Sequence, residues 1–300
     1  FDELMYQHDY PIIEEAAPAD DDKLRWFKGV GWAAIQHKMD DPDQHIHFVM
    51  KASKFGSISH SHGDQGAFCL SAFGEDLAIQ SGYYVAFSSD MHMNWRRQTR
   101  SKNAILINGK GQYADHDKSL TMRSTGQILA AETRDDHIYI KSEATAAYQH
   151  FNPQVTRVER EVYFVQNNYF VIVDSVDADE PVEIDWLLHA NSDFSLGESS
   201  FRYSGEKAGF YGQVLWSEGG AATLTQAKDF EGINPEEYAG LPVSTHLNAK
   251  FPAAKRHRIA TLLVPYKLDE PKRIFQFLDD QGYECNLYFT DSDERSFRLV

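Results

Sequence analysis

Short runs of β-branched and aromatic residues, separated by polar turns, recur along most of the chain. The clearest pair is residues 158–165 and 169–176, which flank Asn167 and Asn168. Because Asn tolerates positive φ, this pair predicts the tip of a β-hairpin. The acidic segment that follows, residues 177–181, ends in Pro181 and predicts a turn into a third strand at residues 182–188. Together these elements form a predicted β-meander.

Similar runs lie on both sides of this meander. They occupy residues 26–27, 31–35, 45–50, 68–73, 201–203, 209–216, 221–227, 256–266, 273–278, 283–289 and 296–300. Turn residues recur about every 8–12 positions and no helical period is sustained, a pattern typical of antiparallel sandwiches. The sequence therefore predicts an all-β protein, an antiparallel β-sandwich with few short helices. One such helix is expected within residues 233–241.

Composition suggests three segments. Residues 1–23 are acidic and contain two prolines, so we predict a linker or the end of a preceding domain. Residues 24–230 form the main predicted sandwich. Residues 231–300 hold strands that either complete that sandwich or form a small β subdomain. Since the chain begins at Phe1 rather than Met, we expect it to be processed or a piece of a longer protein.

The overall charge and composition exclude several classes of function. A formal net charge of −16 argues against general nucleic-acid binding, which depends on Lys and Arg. No apolar run approaches the ~20 residues of a membrane-spanning helix. Two cysteines are too few for a disulfide framework. We therefore expect a protein that binds neither nucleic acid nor membrane and that meets any acidic ligand at a local basic patch.

Such a patch is predicted between residues 57 and 112. His60 and His62 are two positions apart, so in a regular strand both imidazoles would face the same side. Downstream, residues 91–112 carry no acidic side chain but contain five cations, Arg96, Arg97, Arg100, Lys102 and Lys110. Imidazoles beside fixed positive charge suit an anion-binding site.

Structural roles compete with this interpretation. The two histidines could be core residues satisfied by Ser57 and Ser59, and the arginines could form a solvated strand face. Tyr84 is as compatible with packing as with a site, because aromatic residues favour strands. His92 and His116 are expected at the surface.

Five sequence blocks in this region resemble the β-sandwich domain of heparinase II/III-type polysaccharide lyases, and most of all its oligoalginate lyase branch. The blocks are residues 60–65 (HSHGDQ), 74–79 (GEDLAI), 81–84 (SGYY), 95–100 (WRRQTR) and 103–106 (NAIL), with a further similar block at residues 186–189 (WLLH). In these enzymes an α/α-toroid precedes the sandwich and carries catalytic residues. We expect that toroid to be a missing N-terminal partner of this chain.

The resemblance implies a site that acts on an acidic oligosaccharide. His60 and Tyr84, with Tyr83 as the alternative to Tyr84, are expected to be the catalytic residues on the sandwich side. The expected substrate-binding residues are His62, Arg96, Arg97, Arg100, Lys102 and His189. β-Elimination from a uronate needs a group that neutralises the carboxylate and stabilises the developing enolate, a base for the proton at carbon 5, and an acid for the leaving oxygen.

The chain departs from the family at its zinc site. Relatives bind a structural zinc at the positions of His62, Gln80 and Lys102. Gln is a poor zinc ligand and an ammonium group is none, so we expect no cofactor and no metal ligands here. Position alone suggests that the charge of Lys102 replaces that of the metal.

Two functions remain open from the sequence. The first is the sandwich half of a periplasmic or secreted lyase that cleaves alginate-like, uronic-acid-containing oligosaccharides, with the 300-residue chain alone inactive or nearly so. The second is a non-catalytic carbohydrate-binding or structural β-sandwich. A cupin-like metal oxygenase is disfavoured because no His-x-His has a following Glu and a distant His at suitable spacing.

Overall fold

The computed structural model describes residues 23–269 in full and the backbone of residues 275–277, 284–289 and 294–298. The linker predicted at residues 1–23 lies outside this range apart from Lys23, as do parts of the strands predicted beyond residue 270. Among the described residues, no helix has the length and apolar character needed to cross a membrane.

Strands dominate the part of the chain that the structure describes. They are β1 (Leu24–Phe27), β2 (Trp32–His37), β3 (Ile46–Lys51), β4 (Ala67–Ala72), β5 (Glu75–Ala78), β6 (Ile105–Ile107), β7 (Gln127–Thr133), β8 (His137–Glu143), β9 (Val155–Val165), β10 (Tyr169–Ala190), β11 (Ser195–Leu196), β12 (Ser200–Ser204), β13 (Ala208–Glu218), β14 (Thr223–Lys228), β15 (Thr245–Lys267), β16 (Phe275–Phe277), β17 (Glu284–Phe289) and β18 (Glu294–Arg298). The helical segments are short, at Met91–Arg96 (π), Thr99–Ser101 and Pro235–Tyr238 (3-10), and Lys118–Thr121 and Thr145–Tyr148 (α). The predicted all-β class is confirmed, and the Pro235–Tyr238 turn lies where a short helix was expected.

The strands form three antiparallel sheets. The first has the order β1-β2-β3-β4-β5, and the second has the order β11-β12-β13-β15-β10-β9-β8-β7. In the second sheet, β14 also pairs with β15 and β6 with β10. Strands β16, β17 and β18 form a third sheet. Since β15 lies in the middle of the second sheet, the predicted segment 231–300 contributes to the sandwich, and its boundary at residue 230 stays a prediction.

The first two sheets share one hydrophobic core, as a sandwich requires. The ring of Phe48 on β3 stacks on Phe68 of β4 and on Phe170 of β10, with centroid distances of 5.1 and 4.9 Å. Trp186 of β10 and Leu263 of β15 belong to the same core and are fully buried. The antiparallel β-sandwich predicted from the turn spacing is therefore confirmed.

The turn predicted at residues 177–181 is wrong. Strand β10 continues through this segment as 22 residues, from Tyr169 to Ala190. Its pairing with β15 shifts register between Asp177 and Val182. A register shift of this kind accommodates Pro181, which has no N–H to donate to a ladder. The hairpin between β9 and β10 is confirmed, with positive φ at Gln166 and Asn167.

Candidate functional site

The segment that carries His60 and His62 is a loop, not the regular strand in which the two imidazoles would share a face. Residues 57–66 form turns, Ser59 adopts a φ of 56°, and β4 begins only at Ala67. In this loop His60 is exposed and His62 is partly buried. The two imidazoles therefore do not share a strand face.

Hydrogen bonds from distant parts of the chain hold this loop in place. The N–H of Gly63 donates to the carbonyl of Arg97 at 2.8 Å, and Oγ1 of Thr99 donates to the carbonyl of Gly63 at 2.8 Å. The side-chain amide of Gln112 accepts from the N–H of Gln65 and donates to its carbonyl, both at 2.8 Å. The loop has no partner strand, so these bonds satisfy its backbone N–H and C=O groups in place of a sheet. They hold the loop in a defined conformation from which a side chain can be presented.

A buried ion pair fixes the end of the same loop. The guanidinium of Arg160 bonds both carboxylate oxygens of Asp174, at 2.7 and 3.0 Å. Its Nη1 also donates to the carbonyl oxygens of Gly66 at 2.7 Å and Asn103 at 2.8 Å. Arg160 is 4% exposed and Asp174 is 2% exposed. The ion pair therefore ties the His60 loop and the backbone next to Lys102 to the centre of the second sheet.

The basic cluster lies on helical turns rather than on a solvated strand. Arg96 ends the π-helix and is partly exposed, and its guanidinium lies over the ring of Tyr84 at 5.9 Å. Arg97 is buried and donates to the carbonyl of Ser57 at 2.7 Å. Arg100 donates to the carbonyl of Asn94 and lies 4.7 Å from the ring of Trp95. Of the three arginines, Arg96 is thus the one free of these backbone contacts and available to a ligand.

Lys102 is the most buried charged group of the site, with no exposed surface. Its ammonium donates to the carbonyl of Arg96 at 2.6 Å and to Oε1 of Gln80 at 3.3 Å. Burial lowers the pKa of Lys102 to about 8, although the nearby Asp64 carboxylate opposes the shift. Lys110, the last cation of the predicted cluster, lies instead on the exposed turn after β6.

His62 is neutral at physiological pH. Burial, and then the positive charges of Lys102 and Arg96, lower its pKa to about 2. The ammonium of Lys102 and the amide of Gln80 stand at two of the three positions where the resemblance implies zinc ligands. Within the described residues, no group of three or more His, Cys, Asp or Glu side chains could hold a metal ion.

Tyr84 is 48% exposed and packs edge-on against His92, with ring centroids 4.8 Å apart. His92 is only 3% exposed, so its predicted surface position is wrong. Burial is the main cause of its lowered pKa, and Arg97, Arg96 and His60 add to it through their charges. His60 thus lies within electrostatic range of His92, the ring on which Tyr84 packs. The apolar neighbours Met91 and Met93 are the sequence signal that could have predicted the burial of His92.

His189 lies behind the site rather than in it. The side chain is fully buried, and its ring nitrogens lie 3.1 Å from Oδ1 of Asn103 and 3.0 Å from the carbonyl of Arg100. Burial holds its pKa well below the ordinary value. The two amide hydrogens of Asn103 bond the carbonyls of Phe68 and Ile79. His189 and Asn103 thus join β10 to β4 and the segment after β5, a structural role that leaves no nitrogen of His189 for a substrate.

The exposed part of the site is therefore His60, Tyr84 and Arg96, supported from beneath by His62, Lys102 and Arg97. A guanidinium can pair with a carboxylate, and an imidazole and a phenol can transfer protons. The arrangement is suited to binding an acidic ligand and to acid–base chemistry beside it.

Comparison with known proteins gives consistent matches. The family model described as "Heparinase II/III-like, C-terminal" matches residues 19–278. A heparin-sulfate lyase from Bacteroides stercoris is 32% identical over 126 residues, which are 39% of this chain and 16% of that protein.

Two solved structures share the fold over most of this chain. One is a heparinase III, with 18% identity and a TM-score of 0.69, covering 93% of this chain and 43% of that one. The other is a mutant of the heparan sulfate lyase HepC from Pedobacter heparinus, with 16% identity and a TM-score of 0.70, covering 95% and 44%. The chain thus spans less than half the length of these relatives.

Proposed function

This chain belongs to the Heparinase II/III-like, C-terminal family, and from that premise we propose that it supplies the β-sandwich half of a polysaccharide lyase. The observation that carries the proposal is the exposed group of His60, Tyr84 and Arg96. His60 stands on a loop and Arg96 on a helical turn that buried hydrogen bonds hold in place, and Tyr84 lies beneath the Arg96 guanidinium. Preorganised groups of this kind lower the cost of charge development in a transition state.

The proposed reaction is β-elimination from a uronic acid unit. Removal of the proton at carbon 5 leaves an electron pair that forms the carbon 4–carbon 5 double bond. The bond from carbon 4 to the glycosidic oxygen breaks, and that oxygen leaves with a proton. Arg96 pairs with the uronate carboxylate and stabilises the enolate-like charge, while His60 and Tyr84 are the proton-transfer candidates on this chain.

The substrate of this proposal is an acidic oligosaccharide that contains uronic acid. Alginate-like oligouronides follow from the five sequence blocks, whereas the names of the relatives favour chains of the heparin-sulfate type. The remaining part of the longer protein, a toroid in this proposal, supplies the other wall of the cleft and further catalytic groups. A periplasmic or secreted location belongs to the same proposal.

The test is the appearance of unsaturated uronate product, followed by ultraviolet absorbance, when the full-length protein meets each class of oligosaccharide. We expect His60→Ala and Tyr84→Phe to lower kcat/KM by at least tenfold. His116→Ala is the matched control, because the His116 side chain is 78% exposed and lies outside the site. Absence of product from every uronate chain would contradict the lyase proposal. Binding without cleavage would favour the non-catalytic carbohydrate-binding alternative.

A further inference from the structure

Residues 229–244 connect β14 to β15 and pack against the π-helix that carries Arg96. We call this segment the strap. The strap and the helix share a small apolar cluster that is separate from the main core. Its buried members are Met91, Trp95, Phe230, Ile233 and Tyr238. The rings of Trp95 and Phe230 lie 5.5 Å apart. The strap therefore touches the helix directly, although the two are far apart in sequence.

The helix depends on support from outside. It has six residues, Met91–Arg96. π-Helices are rare and usually last one turn, and a helix of so few residues is not stable alone in water. The N–H groups at its start have no carbonyl partner within the helix. The two carboxylate oxygens of Asp90, the preceding residue, accept instead from the side chain of Asn94 at 2.6 Å and from the N–H of Asn234 at 2.9 Å.

Glu237 of the strap supplies the partners for this end of the helix. Its Oε1 accepts from the N–H of Asp90 at 3.0 Å, and its Oε2 accepts from the N–H of Met91 at 2.7 Å. The contact is reciprocal, because Asn234 of the strap donates to Asp90. Hydrogen bonds to a charged acceptor are about twice as strong as neutral ones. One partly buried carboxylate thus joins the strap to the start of the helix.

The other end of the helix is held by Lys102, whose ammonium donates to the carbonyl of Arg96 at 2.6 Å. Between these two anchors the helix presents His92, on whose ring Tyr84 packs at 4.8 Å. The Arg96 guanidinium lies 5.9 Å from the same Tyr84 ring. Two of the three exposed groups of the site, Tyr84 and Arg96, are therefore placed by this helix.

We infer that Glu237 is a positioning residue, whose carboxylate fixes the start of the helix and thereby places Arg96 and Tyr84 for an acidic ligand. The inference rests on the proposed function. Glu237 acts through Arg96 rather than by touching the substrate. A residue that acts in this way loses its effect on activity once the Arg96 guanidinium is removed, whereas a residue that only stabilises the fold keeps its effect.

The experiment uses the full-length protein with substitutions in the strap. Glu237→Ala removes both acceptors, and Glu237→Gln keeps one acceptor but turns an amide donor toward the other N–H. Glu236→Gln is the matched control, because it removes an exposed carboxylate from the adjacent position. Tyr238→Phe is the control for strap stability, because it removes the hydroxyl that donates to Asp229 at 2.6 Å and keeps the buried ring. Glu237→Ala is also combined with Arg96→Gln.

Hydrogen exchange, followed by mass spectrometry, measures opening of the helix at residues 90–96. We expect its amides to exchange on the order of tenfold faster in Glu237→Ala than in wild type, because the acceptors of the first two N–H groups are lost. Glu237→Gln should lie between these two proteins. Both controls should exchange at the wild-type rate. Unchanged exchange in Glu237→Ala would overturn the inference.

Steady-state kinetics measure the effect on the site, with oligosaccharides of the alginate type and of the heparin-sulfate type as separate substrates. Glu237→Ala should lower kcat/KM on the order of tenfold, but by less than about twofold when Arg96→Gln is already present. The two controls should keep the wild-type kcat/KM. An equal loss with and without the Arg96 guanidinium would overturn the inference, as would the same loss in Tyr238→Phe.

The two measurements separate this inference from the lyase proposal. Faster helix exchange in Glu237→Ala, in a protein that cleaves neither substrate, would contradict the lyase and support Glu237 as the residue that fixes the helix. Cleavage by wild type together with unchanged exchange in Glu237→Ala would support the lyase and overturn the role of Glu237.

Discussion

The ammonium of Lys102 lies 3.3 Å from Oε1 of Gln80 and has no contact with solvent. Burial lowers the pKa of Lys102 from 10.5 to about 8 in the folded protein. Between these two pH values the unfolded chain keeps a proton that the folded protein has lost, so stability rises as pH increases across this window. At 1.36 kcal/mol per pH unit, the rise is roughly 3 kcal/mol.

This pH dependence is the first prediction, and Lys102→Met should abolish it. Urea unfolding of wild type and variant between pH 7.5 and pH 10.5 measures the difference. Tyrosine ionisation in the same range affects both proteins and cancels. Lys54→Met, at an exposed position, is the control and should keep the wild-type dependence. If the unfolding free energies of wild type and Lys102→Met changed equally with pH, folding would not lower the pKa of Lys102.

The second prediction concerns metal binding at the same place. Wild type should take up no stoichiometric zinc through His62, because the ammonium of Lys102 repels a divalent cation by ~4 kcal/mol per unit charge pair at 4 Å and an effective dielectric of 20. The double variant Gln80→Asp, Lys102→His removes that charge and adds two ligands beside the neutral His62. With water it should form a tetrahedral site. The measurement is the metal content of both proteins after dialysis against trace zinc. Zinc in wild type would contradict the argument. Absence of zinc from both proteins would show that the three positions do not converge.

The third prediction is that Arg160→Met costs about 3–5 kcal/mol of unfolding free energy. The change leaves the Asp174 carboxylate buried without its cation, and it removes the donors to the Gly66 and Asn103 carbonyls. Urea unfolding gives the value. Arg134→Met, which breaks an exposed pair with Glu132, is the control and should cost less than about 1 kcal/mol. Equal losses would mean that the buried pair contributes no more than a surface one.

The fold was predictable where its causes are local. The hairpin between β9 and β10 follows from two apolar runs and the intervening Asn167, all within about 20 residues of sequence. The continuation of β10 past Asp177 was not predictable in this way. It depends on pairing with β15, in which Asp177 meets Arg256 and Val182 meets Ala254. Such long-range pairing overrides the local turn preference of an acidic, proline-containing segment.

The residue types of the site were visible in the sequence, but the position of each side chain was not. In the sequence Arg97 could not be distinguished from its neighbour Arg96. In the structure its guanidinium donates to the carbonyl of Ser57, 40 residues away. His189 looked like a site residue but bonds Asn103, 86 residues away. Side-chain contacts with distant backbone groups leave no periodic pattern, so periodicity could not separate supporting residues from exposed ones.

The last prediction tests this separation with two adjacent arginines. Arg97→Gln removes a buried, charge-assisted hydrogen bond to Ser57 and should cost about 1.5–3 kcal/mol of unfolding free energy. Arg96→Gln removes a partly exposed guanidinium that stabilises no backbone carbonyl through its side chain, so its unfolding free energy should stay within about 0.5 kcal/mol of wild type.

The effects on the proposed activity should be reversed, with the direct loss of kcat/KM in the Arg96 variant rather than in the Arg97 variant. If Arg96 pairs with the substrate carboxylate, Arg96→Gln lowers kcat/KM by at least tenfold in a protein of normal stability, because a charge-assisted pair at the substrate is lost. Arg97→Gln acts only by loosening the His60 loop, so its activity should recover at lower temperature, where the folded loop is more populated. Urea unfolding and steady-state kinetics of the two variants at two temperatures provide the comparison. A stability loss in Arg96→Gln equal to that in Arg97→Gln would assign both arginines to the supporting structure and leave His60 and Tyr84 without a cationic partner on this chain.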